Sequence, residues 1–178
     1  MYCQPVDFKI DLFRTPDFFT PSMKLQHSFL RESDLNPDLI DIFESLCLIV
    51  TQVETFYLPP FVDTGIHLDK VGGDFTKINW IFKGKKSKMN WYDPLTPDAG
   101  KTMTMKMGTS YQFFEHNDVK KIYEHEIQGS AIVQVGVPHN ITTQDEERFC
   151  VSVSYRQKGI RIITMNETLE TFKKYLVQ

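Results

Sequence analysis

The spacing of hydrophobic residues changes near residue 52, dividing the chain into a helical start and a long β region. Before the change, Leu39, Ile42, Phe43, Leu46 and Val50 recur at three- and four-residue intervals, the apolar stripe of a helix laid on a sheet. Asn36 is placed to cap that helix, Pro37 suits its first position, and Asp38 complements the positive end of its dipole. Upstream, residues 1 to 30 carry Pro5, Pro16 and Pro21 among scattered aromatics and read as an extended arm or irregular edge. Beyond residue 52, alternation and turn residues predict short strands. These run over 52–58 (stopped by Pro59-Pro60), 66–70, 75–83 after the Gly72-Gly73 turn, 89–92 and 102–114, then 131–137 and 149–155, with a weaker one at 161–164. Residues 120–126 fit a strand or a short helix. Within 102–114, Met103, Met105 and Met107 face one side, a stripe suited to filling irregular core gaps. A closing helix is expected from about Asn166, with Leu169, Phe172 and Leu176 on one face.

Many short strands, helices at both ends and no clear helix between them predict a mainly β fold, a sandwich or jelly roll with helical cover. A length of 178 residues suits a single domain. Its expected parts are an N-terminal arm and helix (1–50), a β-barrel core (51–165) and a C-terminal helix (166–178). Hydrophobic residues make up 41% and aromatics 13%, enough for a packed core. A net charge of -3 gives no electrostatic reason to expect nucleic acid or an anionic membrane as partner. No apolar run is long enough to span a bilayer, and the first residues lack a basic-then-apolar signal. Cys3, Cys47 and Cys150 form an odd, dispersed set without CxxC, which favours free thiols in a reducing compartment and hence a cytoplasmic protein. Oligomeric state is left open.

The candidate chemistry lies in His67-Leu68-Asp69, His139 and Arg148. Residues two apart on a strand share a side, so His67 and Asp69 aim together into the barrel while Leu68 turns away. His139 follows Gly136-Val137-Pro138, which places it where a strand runs into a turn at the barrel mouth. Two imidazoles and one carboxylate are the ligand set that holds non-haem Fe(II) with positions left open. Arg148 supplies a fixed cation, suited to gripping the carboxylate of a co-substrate such as 2-oxoglutarate. It begins a strand on which Arg148, Cys150, Ser152 and Ser154 share one side and Phe149, Val151, Val153 and Tyr155 the other. The polar side is expected to face the cavity and the apolar side the helices.

The pattern His67-x-Asp69, His139, Arg148-x-x-x-Ser152 resembles the Fe(II)/2-oxoglutarate oxygenase superfamily, built on the double-stranded β-helix, a cupin-like jelly roll. The stretch through Asn79-Trp80-Ile81 and Met89-Asn90-Trp91-Tyr92 is similar to small prolyl-hydroxylase-like and aspartyl/asparaginyl-hydroxylase-like proteins of phages and marine bacteria. The resemblance covers roughly residues 50 to 156. It implies a dioxygenase that hydroxylates a peptidyl or amino-acid-like substrate with Fe(II) and 2-oxoglutarate. His67, Asp69 and His139 would hold the metal; Arg148, Asn79 and Ser152 would hold the co-substrate; Trp91 and Tyr92 would meet the substrate unless, as aromatics in strands more often do, they pack in the core. Two features depart from the pattern: the spacing from Asp69 to Asn79 is long because of Gly72-Gly73, and Cys150 stands where an RxS version has serine.

Two other readings fit the same strands. One is a non-catalytic jelly-roll structural or binding module, for example a viral one, in which the HxD is accidental. The other is a cupin metalloenzyme that needs no 2-oxoglutarate, in which Arg148 is dispensable. The run Lys83-Gly84-Lys85-Lys86-Ser87-Lys88 reads as a solvated hairpin turn, and His27, His116 and His125 read as structural or exposed.

Overall fold

The computed structural model describes residues 1–13, 26–69, 75–104, 110–159 and 162–178. Pro16, Pro21, Lys70, Gly72-Gly73, Met105, Met107 and Arg161 lie outside the described residues. Of the extended arm and the irregular edge expected of the N-terminal stretch, the edge is what forms: it contributes β1 (Cys3–Val6) and β2 (Gln26–Leu30), the two edges of one sheet. Pro5 is accommodated in β1 because an edge strand can spare an amide donor. The outer side of β1 is closed by the C-terminus, where Val177 N–H donates to Pro5 O at 3.1 Å and Asp7 N–H to Tyr175 O at 2.8 Å, which protects an otherwise open edge.

The first helix forms where its caps place it. Asn36 Oδ1 accepts the Asp38 N–H at 3.1 Å and Pro37 opens α1 (Pro37–Ser45). Leu39 and Phe43 are its buried residues. Leu46 ends the helix, and Cys47, at φ 57°, reverses the chain straight into β3 (Leu48–Leu58). Val50 therefore belongs to a strand, and β3 begins four residues before the expected 52 because a single left-handed residue suffices for the turn. There follow β4 (Ile66–Leu68), β5 (Thr76–Lys83), β6 (Lys88–Pro94), β7 (Lys101–Thr104), β8 (Ser110–Phe114), β9 (Val119–Glu126), β10 (Gly129–Gln134), β11 (His139–Thr142) and β12 (Arg148–Gln157). The chain closes with α2 (Met165–Thr171) and a short 3-10 turn over Lys173–Tyr175. The expected helix over 166–178 is thus half as regular as its apolar spacing suggests, and Ile162 to Thr164 form no strand.

Two antiparallel six-stranded sheets result, in the orders β1-β10-β5-β12-β3-β2 and β7-β8-β4-β11-β6-β9. The fold is mainly β, a cupin-like jelly roll with a helix near each end. The described residues between 102 and 114 belong to two strands paired antiparallel, β7 and β8, rather than to one. Met103 is 54% exposed there, so it is no part of a core stripe. Three layers follow from the alternation on β12 and β5. Phe149, Val151, Val153, Tyr155, Ile78 and Trp80 pack outward against Leu39 and Phe43 of α1 and against Phe172. Cys150, Ile81, Ala131 and Val133 pack inward against Met89 and Trp91 of the second sheet. The space left between the sheets holds the candidate site. Among the described residues, no helix is long and apolar enough to cross a membrane.

Candidate metal centre

His67 on β4 and His139 on β11 are direct cross-strand partners. The second histidine thus stands within the sheet, at the start of a strand, and not in a turn at the barrel mouth. Neighbouring strands lie about 4.8 Å apart, and the two rings accordingly sit 4.6 Å apart between centroids. Asp69 follows β4, two residues past His67 and on the same side, while Leu68 turns into a separate apolar cluster with Tyr92 and Phe114. Asp69 Oδ1 lies 3.4 Å from His67 Nε2 and 3.7 Å from His139 Nε2. One donor atom from each of the three residues lies within 4.8 Å of the other two.

The hydrogen bonds set which ring nitrogens are free. His67 Nδ1 donates to Gly65 O at 2.9 Å and His139 Nδ1 to Val137 O at 2.8 Å. A carbonyl oxygen can only accept, so each Nδ1 carries the proton and each Nε2 offers its lone pair. With both rings neutral, two lone pairs face a carboxylate oxygen across less than 4 Å, an arrangement relieved by a proton on one Nε2 or by a metal cation between them. Metal ligands about 2 Å from a shared ion demand separations of this scale. The donor set therefore fits a divalent metal, with Fe(II) among the ions that two imidazoles and a carboxylate suit.

Charge around the cluster is organised by residues that the sequence reading passed over. Lys77, on β5, places Nζ 2.8 Å from Asp69 Oδ2 and 2.9 Å from Glu54 Oε2. Glu54, 3% exposed on β3, receives His27 Nε2 at 2.9 Å on its other oxygen. Burial opposes ionisation of Asp69, but Lys77, His67 and His139 outweigh it and hold the carboxyl far below the usual range. Burial likewise opposes the charge on Lys77, and the two carboxylates overcome it and raise its pKa. His139 is pushed down to about 4 by burial and by the neighbouring His67 charge, which keeps its imidazole neutral and available as a ligand. For His67, burial is outweighed by the hydrogen bond and charge of Asp69, and its pKa rises.

The cluster opens onto a cavity of about 450 Å³ whose lining includes Arg148, Asn79 and Ser152. Arg148 is 3% exposed. The acidic residues just before it in the chain are engaged elsewhere: Glu147 accepts from Tyr57 at 2.7 Å and Lys83 at 2.6 Å, and Glu146 lies 3.8 Å from Lys86. Among the described residues no carboxylate pairs with Arg148, an arrangement that calls for an anion from outside. Asn79, opposite Ser152 in the β5–β12 ladder, has a buried Oδ1 without a hydrogen-bond partner. The other walls are largely apolar, with Phe56, Leu58, Val135 and Ile141 beside Tyr111 and Phe113.

Trp91 and Tyr92, expected either to meet substrate or to pack in the core, are buried and are not among the residues lining this cavity. Trp91 is fully buried, donates Nε1–H to Gln134 O at 2.7 Å and packs on Tyr2 and Tyr123. Tyr92 turns to the opposite side after a register shift between the two residues, and its hydroxyl donates to Asn140 Oδ1 at 3.1 Å. Tyr111 and Phe113 of β8 line the cavity instead; the mixed polarity of 102–114 hid them. The lysine run, as expected, is a hairpin turn whose charges pair with surface acids: Lys83 with Glu147, Lys86 with Asp145 and Glu146, Lys88 with Glu124.

No family model and no curated protein sequence matches the chain. Among solved structures it is similar to a point mutant of Bacillus subtilis oxalate decarboxylase, with 10% identity, 84% of this chain and 30% of that chain covered, and a TM-score of 0.36. A Pseudomonas putida prolyl-4-hydroxylase gives 16% identity over 75% of this chain and 72% of that one, at a TM-score of 0.37. An oxalate oxidase in complex with glycolate gives 14% identity over 92% and 66%, also at 0.37. The chain thus spans less than a third of the oxalate decarboxylase. These are likenesses of fold, and the site stands on its own geometry.

Proposed function

We propose that the protein is a dioxygenase that uses Fe(II) and 2-oxoglutarate to hydroxylate a peptidyl or amino-acid-like substrate. One observation carries the reading: a single cavity holds both the His67–Asp69–His139 donor set and a buried arginine with no carboxylate partner among the described residues. His67 and His139 would hold the metal through Nε2 and Asp69 through Oδ1. Arg148 would grip the distal carboxylate of the co-substrate through its planar fork. Asn79, once its amide is turned to present NH2, and Ser152 would donate to the remaining co-substrate oxygens. The apolar walls exclude water, and Tyr111 and Phe113 offer rings to the substrate carbon chain. When bound, Fe(II) with 2-oxoglutarate supplies the oxidising power for an unactivated C–H bond, with loss of CO2 from the co-substrate.

Anaerobic addition of Fe(II) and 2-oxoglutarate is expected to give a weak visible charge-transfer band. His139→Ala abolishes it. Arg148→Ala keeps it at high 2-oxoglutarate but weakens affinity roughly a hundredfold, the worth of about 2–3 kcal/mol of charge-assisted hydrogen bonds. A wild-type protein with neither band nor iron uptake refutes the reading and leaves the inert jelly-roll module. A band with Arg148→Ala affinity unchanged removes the arginine from the co-substrate site.

A further inference from the structure

We propose that Lys77 is a positioning residue that makes Asp69 a one-oxygen ligand; the inference rests on reading the His–Asp–His cluster as a metal site. Lys77 Nζ occupies Asp69 Oδ2 at 2.8 Å, and the two imidazole Nε2 atoms face Oδ1, the oxygen left over. A free carboxylate can chelate through both oxygens; one held by an ion pair on Oδ2 cannot do so without breaking that pair.

Lys77 is itself fixed. Its Nζ donates to Glu54 Oε2 at 2.9 Å, and His27 Nε2 holds Glu54 Oε1 at 2.9 Å. The ammonium therefore cannot swing away from Asp69 without leaving Glu54. The Glu54–Lys77 pair is already neutral, and the same lysine also compensates the buried Asp69 carboxylate. Adding Asp69 leaves the three groups with one net negative charge, and Oδ1 is the oxygen turned to the histidines.

The consequence is a count of open positions. A six-coordinate metal with three one-atom protein ligands keeps roughly three exchangeable sites. Of these, 2-oxoglutarate as a chelator takes two and one stays free. A two-oxygen Asp69 would remove that third site and stop turnover while metal still bound.

Mn(II) is the probe, read by the relaxation of bound water protons without any turnover. The key protein is the double variant Lys77→Met with Glu54→Gln, which removes a cation and an anion together and strands neither. Glu54→Gln alone is the control, since its Lys77 keeps Asp69. Wild type and control are expected to show about three exchangeable waters and the double variant about two, with 2-oxoglutarate binding weakened about tenfold in the double variant alone. Three waters in the double variant overturn the inference, and three waters with lost 2-oxoglutarate would make Lys77 an anion ligand instead. A double variant that takes up no Mn(II) also overturns it, because the ligands themselves are intact. Absence of Mn(II) uptake by wild type is a different failure, that of the metal reading.

Discussion

Gly84→Ala tests how Arg148 is held. Gly84 sits in the β5–β6 turn at φ +78°, and a Cβ there would stand 2.7 Å from Arg148 Cα, 2.8 Å from Arg148 Cβ and 2.8 Å from Glu147 O. Comfortable contacts between carbons begin near 3.5 Å. All three obstacles are backbone or Cβ atoms, so no side-chain rotation relieves them. The left-handed conformation costs an alanine about 1–2 kcal/mol, and forced packing adds about 1–3 kcal/mol. The total, about 2–5 kcal/mol, is a large share of the ~5–15 kcal/mol typical of a domain. Gly129 provides the control, with φ +81° and nothing within 4 Å of the built Cβ, so Gly129→Ala should lose only the first contribution. Urea unfolding of both variants, compared at constant m, reads the difference directly. Equal midpoints would refute the claim that the hairpin backbone is pressed against Arg148. If Arg148 anchors a co-substrate, Gly84→Ala should also weaken 2-oxoglutarate binding where Gly129→Ala does not.

Asn36→Ala removes the side-chain acceptor at the start of α1 and should cost about 1 kcal/mol, or roughly 2–4 °C in calorimetric Tm for a chain of this size. Native-state alkylation followed by peptide mass mapping should modify Cys47 alone. Cys47 is exposed, burial pushes the Cys3 thiol up to about 12, and burial also raises that of Cys150. Glu54 gives a pH signature. Burial raises its pKa, but the His27 hydrogen bond and Lys77 more than offset this, so it lies below the ordinary 4.5. Its contribution is therefore present above about 4.5 and is lost as pH falls through the depressed folded value. Urea midpoints of wild type should drop more steeply in acid than those of Glu54→Gln, and parallel slopes would contradict this.

Parts of the fold were legible because local chemistry and tertiary contact agree. Asn36-Pro37 caps the helix that forms, and the two-sided alternation of β12 sorts Arg148, Cys150 and Ser152 to the cavity and Phe149, Val151 and Val153 to the helices. His67 and Asp69 share a side because residues two apart on an extended chain must. What stayed illegible lies where pairing partners decide. Cys3–Val6 becomes a strand through β10 on one side and the C-terminal tail on the other, contacts more than a hundred residues away. His139 to Thr142 is too short to announce itself by alternation and is a strand because β4 and β6 flank it. The Met103 register was readable but not its exposure, since β7 ends a sheet.

Lys77 was missed for a more specific reason. Alternation in a strand is ordinarily interpreted by assigning the charged side to water, which suits a sheet with one wet face. On β5 that assumption fails: every residue from Thr76 to Ile81 is buried, with Thr76, Ile78 and Trp80 toward the helices and Lys77, Asn79 and Ile81 toward the second sheet. A lysine on such a strand must meet opposite charge, so its inward direction implies buried acids opposite, and Glu54, buried in the middle of β3, is the residue that answers. The rule that places Asn79 in the cavity places Lys77 there too, two residues earlier. Once both faces of a strand are known to be covered, its polar residues cease to mark the surface and mark the site instead.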